Sequence, residues 1–245
     1  MYPLIPLSEL PGGPDGVRSR LAACERDLAA AAERSGRSAS DVRILTVSKY
    51  VGADVLGLLY ELGVRDFGEN RVQVLETKTE TFADFSDARL HFIGHVQRNK
   101  LRKVLTTCEA LHSLDSSRLL SEMVKRVGLG DPAPKELYVE VNVSGEEQKS
   151  GVAPGELAQL LEDVQSSPLA PSLRGLMTMA PRSAEKEATR PVFRGLRELR
   201  DEQVAKGLLP EGAGLSMGMS QDFDVAIEEG ATIVRIGSLL FRDPA

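Results

Sequence analysis

Eight short runs of β-branched and apolar residues, alternating with stretches whose apolar residues recur at helical spacing, constrain this chain more than any other feature. The runs are RILTVS (43–48), VRDFG (64–68), HFIG (91–94), LHSLD (111–115), LYVEVNV (137–143), LRGLMTM (173–179), GLSMGM (214–219) and TIVRIGS (232–238). Between them, Val55, Leu58, Leu59 and Leu62 form one stripe. Leu119, Leu120, Met123, Val124 and Val127 form another, with Ser116 as its N-cap. Pro154 opens a further helix whose buried face carries Leu157, Leu160, Leu161 and Val164. After the seventh run, Ser220 is the expected cap of a helix that Gly230 closes. Eight strands alternating with helices predict a single (β/α)8 TIM barrel over about 43–241, preceded by an extra N-terminal helix over about 14–35. The rival, a doubly wound open sheet, asks for a Gly-rich turn after the first strand, where this chain has KYVGAD. The whole of 1–245 is expected to form one domain.

Composition narrows the function. A net charge of −6 argues against binding nucleic acid or an anionic membrane surface through a general basic face. No 18 apolar residues run together, and the N-terminus lacks the basic start of a signal peptide, so a cytoplasmic protein is expected. The two cysteines, Cys24 and Cys108, lie far apart and read as reduced core residues, with no metal-like spacing.

In such a barrel, chemistry collects where the strands end and the βα loops begin. The first strand ends in Lys49. A lysine there either snorkels to solvent or offers its amine to a carbonyl. The loops after the last two strands, SMGMS and IGS, carry Ser220, Gly237 and Ser238, small and hydroxyl residues that leave backbone N–H groups open to an anion. Taken singly, each is an ordinary helix cap; together they suit a phosphate. Arg235 lies inside the apolar run IVRIG, where it either pairs with a barrel carboxylate or faces a cavity. An amine, an anion cradle and an inward arginine in one cavity point to a cofactor bearing both aldehyde and phosphate, namely pyridoxal 5′-phosphate (PLP). Lys49 would form the Schiff base and Arg235 would donate to the pyridine nitrogen. Because an arginine stays protonated, that nitrogen would remain unprotonated and the ring would be a weak electron sink, which favours racemase-like chemistry or none.

The string VSK…FGEN…HFIGHVQRNK…VNVSGEEQKSG…GLM…LSMGMSQDFDVAIEEGATIVRIGSLLF resembles the YggS/PROSC family of PLP homeostasis proteins over about 43–241. The resemblance implies a barrel like the N-terminal domain of alanine racemase, with PLP on Lys49. It implies Ser220, Gly237 and Ser238 on the phosphate, Arg235 on the ring nitrogen, and Asn70 and Met217 lining the cofactor. It further implies intracellular buffering or delivery of PLP, an effect on amino-acid and keto-acid balance, PLP-requiring apo-enzymes as recipients, and no established turnover. Three departures stand out: Arg71 replaces a frequent aromatic after FGEN, Ser238 replaces a usual Thr, and the tail reads FRDPA.

The alternative is a true PLP-dependent racemase or lyase. Racemases of this barrel type take a second base, a tyrosine, from an added β domain. This sequence ends seven residues after Ser238, and only Tyr2, Tyr50, Tyr60 and Tyr138 are available, with Tyr50 expected to point away from Lys49. The domain that joins the racemase dimer is thus expected to be absent, and a monomer follows. A class I aldolase using Lys49 and Asp115 is a third reading, which leaves Arg235 without a purpose. His91 and His112 read as structural, and His95 as a loop residue satisfied by hydrogen bonds. Lys149 and the basic cluster over 98–103 read as solvated surface.

Overall fold

The eight runs close into one parallel barrel in chain order, β1 to β8, in the computed structural model, which describes residues 4–146, 148–181 and 185–242. The strands are β1 (Arg43–Val47), β2 (Asp66–Glu69), β3 (Arg89–Phe92), β4 (Ala110–Leu114), β5 (Glu136–Glu140), β6 (Leu173–Met177), β7 (Gly214–Met219) and β8 (Ile233–Ile236). The last strand pairs with the first through Arg43–Ile233, Ile44–Val234, Leu45–Arg235 and Thr46–Ile236, which closes the ring. Helices α1 (Gly13–Arg34), α2 (Ala53–Glu61), α3 (Val72–Ala83), α4 (Leu101–Thr107), α5 (Ser117–Gly128), α6 (Leu157–Gln165), α7 (Arg190–Ala205), α8 (Phe223–Glu228) and α9 (Ser238–Phe241) surround it. Among the described residues, no helix is long and apolar enough to cross a membrane. Tyr2 and the tail over 243–245 lie outside the described residues.

Strands β3 and β5 begin earlier than their apolar letters suggest, and the reason is physical. β2, β3 and β5 open on Asp66, Arg89 and Glu136. These charges sit inside the base of the barrel, where Arg43 bonds both oxygens of Glu136 (3.1 and 2.9 Å) and Arg89 bonds Asp66 (2.7 Å). A search for apolar runs passes over charges that are satisfied by one another. At the other end, β5 stops at Glu140, three residues before the run LYVEVNV does; Val141 still donates to the Met177 carbonyl (2.8 Å) but pairs on its other side with Val152 in an isolated bridge.

The barrel wall separates two kinds of interior. Outward-facing residues such as Leu111, Leu137, Val139, Leu176, Leu215, Met217, Val234 and Ile236 join the helices in one large apolar layer. Inward, the apolar residues are few: Leu45, Tyr138, Met177 and Ile233, with Ile93 against them. The rest of the lumen is polar. Strands β6 and β7 approach so closely that a Cβ on Gly175 (φ +156°) would lie 1.9 Å from the Gly214 carbonyl oxygen. Helix α1 starts with Pro14 in its first turn and stops at Gly36 (φ +71°). It packs Val17, Leu21, Cys24 and Leu28 inward, and Arg20 Nε donates to the Leu240 carbonyl (2.8 Å), tying it to α9.

Candidate functional site at the carboxyl ends of the strands

Lys49 stands two residues beyond β1, half-buried at the mouth. Its Nζ lies 5.0 Å from the centroid of the Tyr50 ring, so Tyr50 folds back under the amine instead of pointing away from it. The peptide just before Lys49 is held from behind. Lys78 Nζ donates to the Ser48 carbonyl (2.6 Å) and to Glu69 Oε1 (2.6 Å), and Ser48 Oγ donates to the same carboxylate oxygen (2.7 Å). Both charges are essentially without solvent. Burial pushes the Lys78 amine below its ordinary pKa, with Glu69 opposing. Sequence reading missed this pair, although Lys78 continues the Val72–Leu75 stripe at i+3, on the buried face of α3. A lysine on an apolar stripe is the signal that would have found it.

Arg235 points into the lumen from β8 and is 4% exposed. Its Nη1 donates to the Ser216 carbonyl (2.7 Å) and Ser216 Oγ (3.1 Å), and its Nη2 to the Thr178 carbonyl (2.8 Å). Among the described residues it makes no direct ion pair, so the pairing with a barrel carboxylate that its sequence context allowed is not what holds it. Burial lowers its pKa to about 10 against the fields of Glu140 and Asp222, which leaves it a cation at neutral pH. Glu140, 3% exposed at the end of β5, is pushed up to about 7 by burial and by Asp115, with Arg235 opposing.

The loops after β7 and β8 meet. Ser220 Oγ accepts from the backbone N–H of Gly237 (3.2 Å) and of Leu239 (3.4 Å). Ser220 therefore does not cap α8, as the sequence suggested. Asp222 occupies that N-cap position, and its Oδ1 accepts from Met219 N (2.7 Å). Ser220 instead joins the two loops, because a tight turn at Gly218 carries the chain past the start of α8. That glycine has φ +88°, and a Cβ on it would lie 2.5 Å from the Ala226 Cβ. Gly237 lies against the end of β1, where an added Cβ would sit 3.2 Å from the Val47 carbonyl oxygen. Ser238 is exposed as the first residue of α9.

Asn70 follows β2, and its Oδ1 is buried without a partner. Met217 requires a correction. Its side chain is fully buried in the outer layer between barrel and helices, since alternation along β7 turns Ser216 inward and Met217 outward. Lys49, Asn70, Arg235 and the Ser220–Gly237–Ser238 loops thus gather at one end of the barrel, and the Met217 side chain does not join them.

The remaining candidates sit beside this mouth. His95 is exposed, with Nδ1 3.2 Å from Asp115 Oδ2. It borders a cavity of about 460 Å³ lined also by Arg98, Ser116, Arg118 and Ser150. Lys149 is not simply solvated: it pairs with Glu146 and reaches Ser144 Oγ and the Met179 carbonyl (3.4 Å each). In the basic cluster, Arg102 pairs with Asp131 (3.4 Å), and Arg71 is exposed at the start of α3.

This chain is similar to known proteins over most of its length. It is 44% identical over 229 residues to the pyridoxal phosphate homeostasis protein of Aquifex aeolicus, covering 90% of this chain and 98% of that one. The protein of the same name from Pseudomonas aeruginosa is 40% identical over 214 residues, covering 86% and 88%. Among solved structures, PipY of Synechococcus elongatus with PLP bound matches with a TM-score of 0.76 and 31% identity, over 92% of this chain and 99% of that one. An alanine racemase of Clostridium difficile, 16% identical with a TM-score of 0.67, shares the fold over 56% of its length. No protein-family model matches the chain.

Proposed function

The chain belongs to the pyridoxal phosphate homeostasis proteins, and we propose that it binds PLP at the carboxyl ends of its strands and holds it there without turning anything over. PLP brings an aldehyde, an electron-withdrawing pyridine ring and a phosphate. Lys49 holds the aldehyde, the loops joined by Ser220, Gly237 and Ser238 receive the phosphate, and Arg235 donates to the ring nitrogen. One observation carries this reading: an amine, a buried guanidinium and a pair of joined Gly/Ser loops occupy the same mouth on adjoining strands β1, β7 and β8. The residues fit the group. Asn70 Oδ1 is buried and lacks a partner, Gly237 is packed where a side chain would crowd the end of β1, and Arg235 keeps N–H groups beyond the three bonds that it makes.

The guanidinium decides the chemistry. A group with a pKa of about 10 stays a donor at neutral pH, so the ring nitrogen facing it serves as acceptor and draws electrons weakly. That suits a carrier that buffers PLP inside the cell and yields it to apo-enzymes, and among reactions it admits racemase-like proton exchange more readily than chemistry that needs a strong electron sink. The test is direct. Purified protein mixed with PLP should turn yellow, and borohydride should fix a pyridoxyl label on Lys49. The Lys49→Ala variant should bind at least a hundredfold more weakly, about 3 kcal/mol, since it loses a covalent anchor. Wild-type protein that stays colourless and takes up no PLP would sink the proposal.

A second reading, an amino-acid racemase or lyase, draws on Glu140, a carboxyl near neutrality in the field of Arg235 that is suited to move a proton. Racemisation and elimination assays over a panel of amino acids separate the two. Turnover abolished by Glu140→Gln would replace the carrier reading.

A further inference from the structure

Two of the chain's three histidines lie inside the barrel, in contact with each other, and none of the roles above uses them. Four hydrogen bonds run in sequence through the lumen. Arg235 Nη1 meets Ser216 Oγ (3.1 Å), Ser216 Oγ meets His112 Nδ1 (2.8 Å), His112 Nε2 meets His91 Nδ1 (2.9 Å), and His91 Nε2 meets Asp66 Oδ1 (2.8 Å). Each histidine is at most 1% exposed, and Tyr138 stacks on His112 with ring centroids 4.5 Å apart.

With both imidazoles neutral, the protons in this chain have one arrangement that gives every hydrogen an acceptor. Arginine can only donate, so Ser216 Oγ accepts from it and has its single hydrogen free for His112 Nδ1. An accepting Nδ1 puts the His112 proton on Nε2, which donates to His91 Nδ1. His91 in turn carries its proton on Nε2 and donates to Asp66, a carboxylate that can only accept. Both ends, a pure donor and a pure acceptor, demand the same direction. A proton on both nitrogens of His91 would reverse His112 and strand the Ser216 hydroxyl hydrogen. Burial first of all, and then the cations Arg235 and Arg43, discourage a second proton on His112 and hold its pKa well below the ordinary value. At the far end, burial raises the Asp66 carboxyl, but bonds from His91 and Arg89 outweigh that and keep it ionised.

We propose that Ser216, His112 and His91 are positioning residues. They form a one-way hydrogen-bonded chain that fixes the Nη1 edge of Arg235 against Asp66 at the base of the barrel. The Thr178 carbonyl fixes part of Nη2, so the guanidinium plane is set before any ligand arrives. This rests on the PLP reading for its purpose: the cofactor ring meets a cation that cannot swing away from it. The chain also explains why the lumen is polar where barrels of this type are packed with branched apolar residues.

Full-length apo protein labelled with nitrogen-15 at histidine tests the arrangement. Long-range proton–nitrogen spectra at pH 7 should give His112 as the neutral Nε2–H tautomer, with the His91 proton that faces Asp66 on Nε2. An Nδ1–H tautomer or an imidazolium at His112 at pH 7 overturns the proposal, whatever PLP does. Ser216→Ala removes the hydroxyl link and leaves the Arg235 bond to the Ser216 carbonyl. It should mix the His112 tautomers and weaken PLP binding about tenfold, the size of one hydrogen bond to a charged group. Ser216→Thr restores the hydroxyl and should restore both readouts. Wild-type PLP affinity in a folded Ser216→Ala protein overturns the positioning role. Failure of the wild type to bind PLP instead sinks the function proposed above, while the apo spectra still decide the direction of the chain.

Discussion

Glu140 is the single residue through which pH should act most directly on this fold. Its folded pKa, about 7, lies above the ordinary value of 4.5 because burial and Asp115 penalise the anion. A raised folded pKa contributes stability that is fully present below pH 4.5 and lost as pH rises through 7. The shift corresponds to about 3 kcal/mol. Apo protein should therefore lose urea resistance between pH 5 and 8, and Glu140→Gln should flatten that decline and be the more stable at pH 8. Parallel unfolding curves at the two pH values check this; an unchanged slope in the variant would remove Glu140 as the cause. Lys78 and Glu69 are buried on a different principle. Their charges neutralise each other, and the lysine's second bond, to the Ser48 carbonyl, holds the backbone that presents Lys49.

At the scale of elements, the junction from β7 to α8 does the most for the site. Gly218 allows the chain to pass within van der Waals contact of Ala226, and this brings Ser220 across to the loop after β8. Gly218→Ala should cost about 2 kcal/mol in backbone strain and steric displacement of α8. Because the displacement pulls Ser220 away from Gly237, PLP affinity should fall along with the melting temperature. Calorimetry and a PLP titration on the same variant measure both, and intact affinity in a destabilised protein would mean that the two loops do not depend on this turn. The same junction illustrates a limit of reading periodicity. A serine before a helix looks like a cap, but Asp222, two residues later, takes the N-cap position and leaves the serine free to bridge.

For the molecule as a whole, the N-terminal helix is part of the support for the site. Helix α1 lies over α8 and α9, the two short helices that follow the joined loops, and it is bonded to them through Arg20 to Leu240 and Arg34 to Glu228 (2.8 Å each). Leu28, 4% exposed, sits on its buried face. Leu28→Ala should cost about 3 kcal/mol and lower the melting temperature by roughly 10 °C. Retention of PLP on warming should drop in step, as α8 and α9 lose their cover. A thermal shift under about 2 °C would show that α1 packs too loosely to support the site.

The sequence alone determined the order of elements, the closure of eight strands and the set of residues at their carboxyl ends. Period-2 and period-3.6 patterns, together with glycines and prolines at the boundaries, are local properties of a chain. Lys49, Arg235 and the Ser220 and Gly237 loops were legible for the same reason: each is an anomaly in its own neighbourhood, a charge ending or interrupting an apolar run, or small residues after one. Only the tertiary structure could decide which face of each strand turns to the lumen, and so it placed the Met217 side chain in the outer layer and brought the Tyr50 ring under the Lys49 amine. Only it could join Lys78 to Glu69 and Ser48, or Asp66 to Arg235 through two histidines and a serine, because these partners are 9 to 104 residues apart in the chain. A charge or imidazole in an apolar run carries no mark of which distant group satisfies it; closing the barrel supplies that partner.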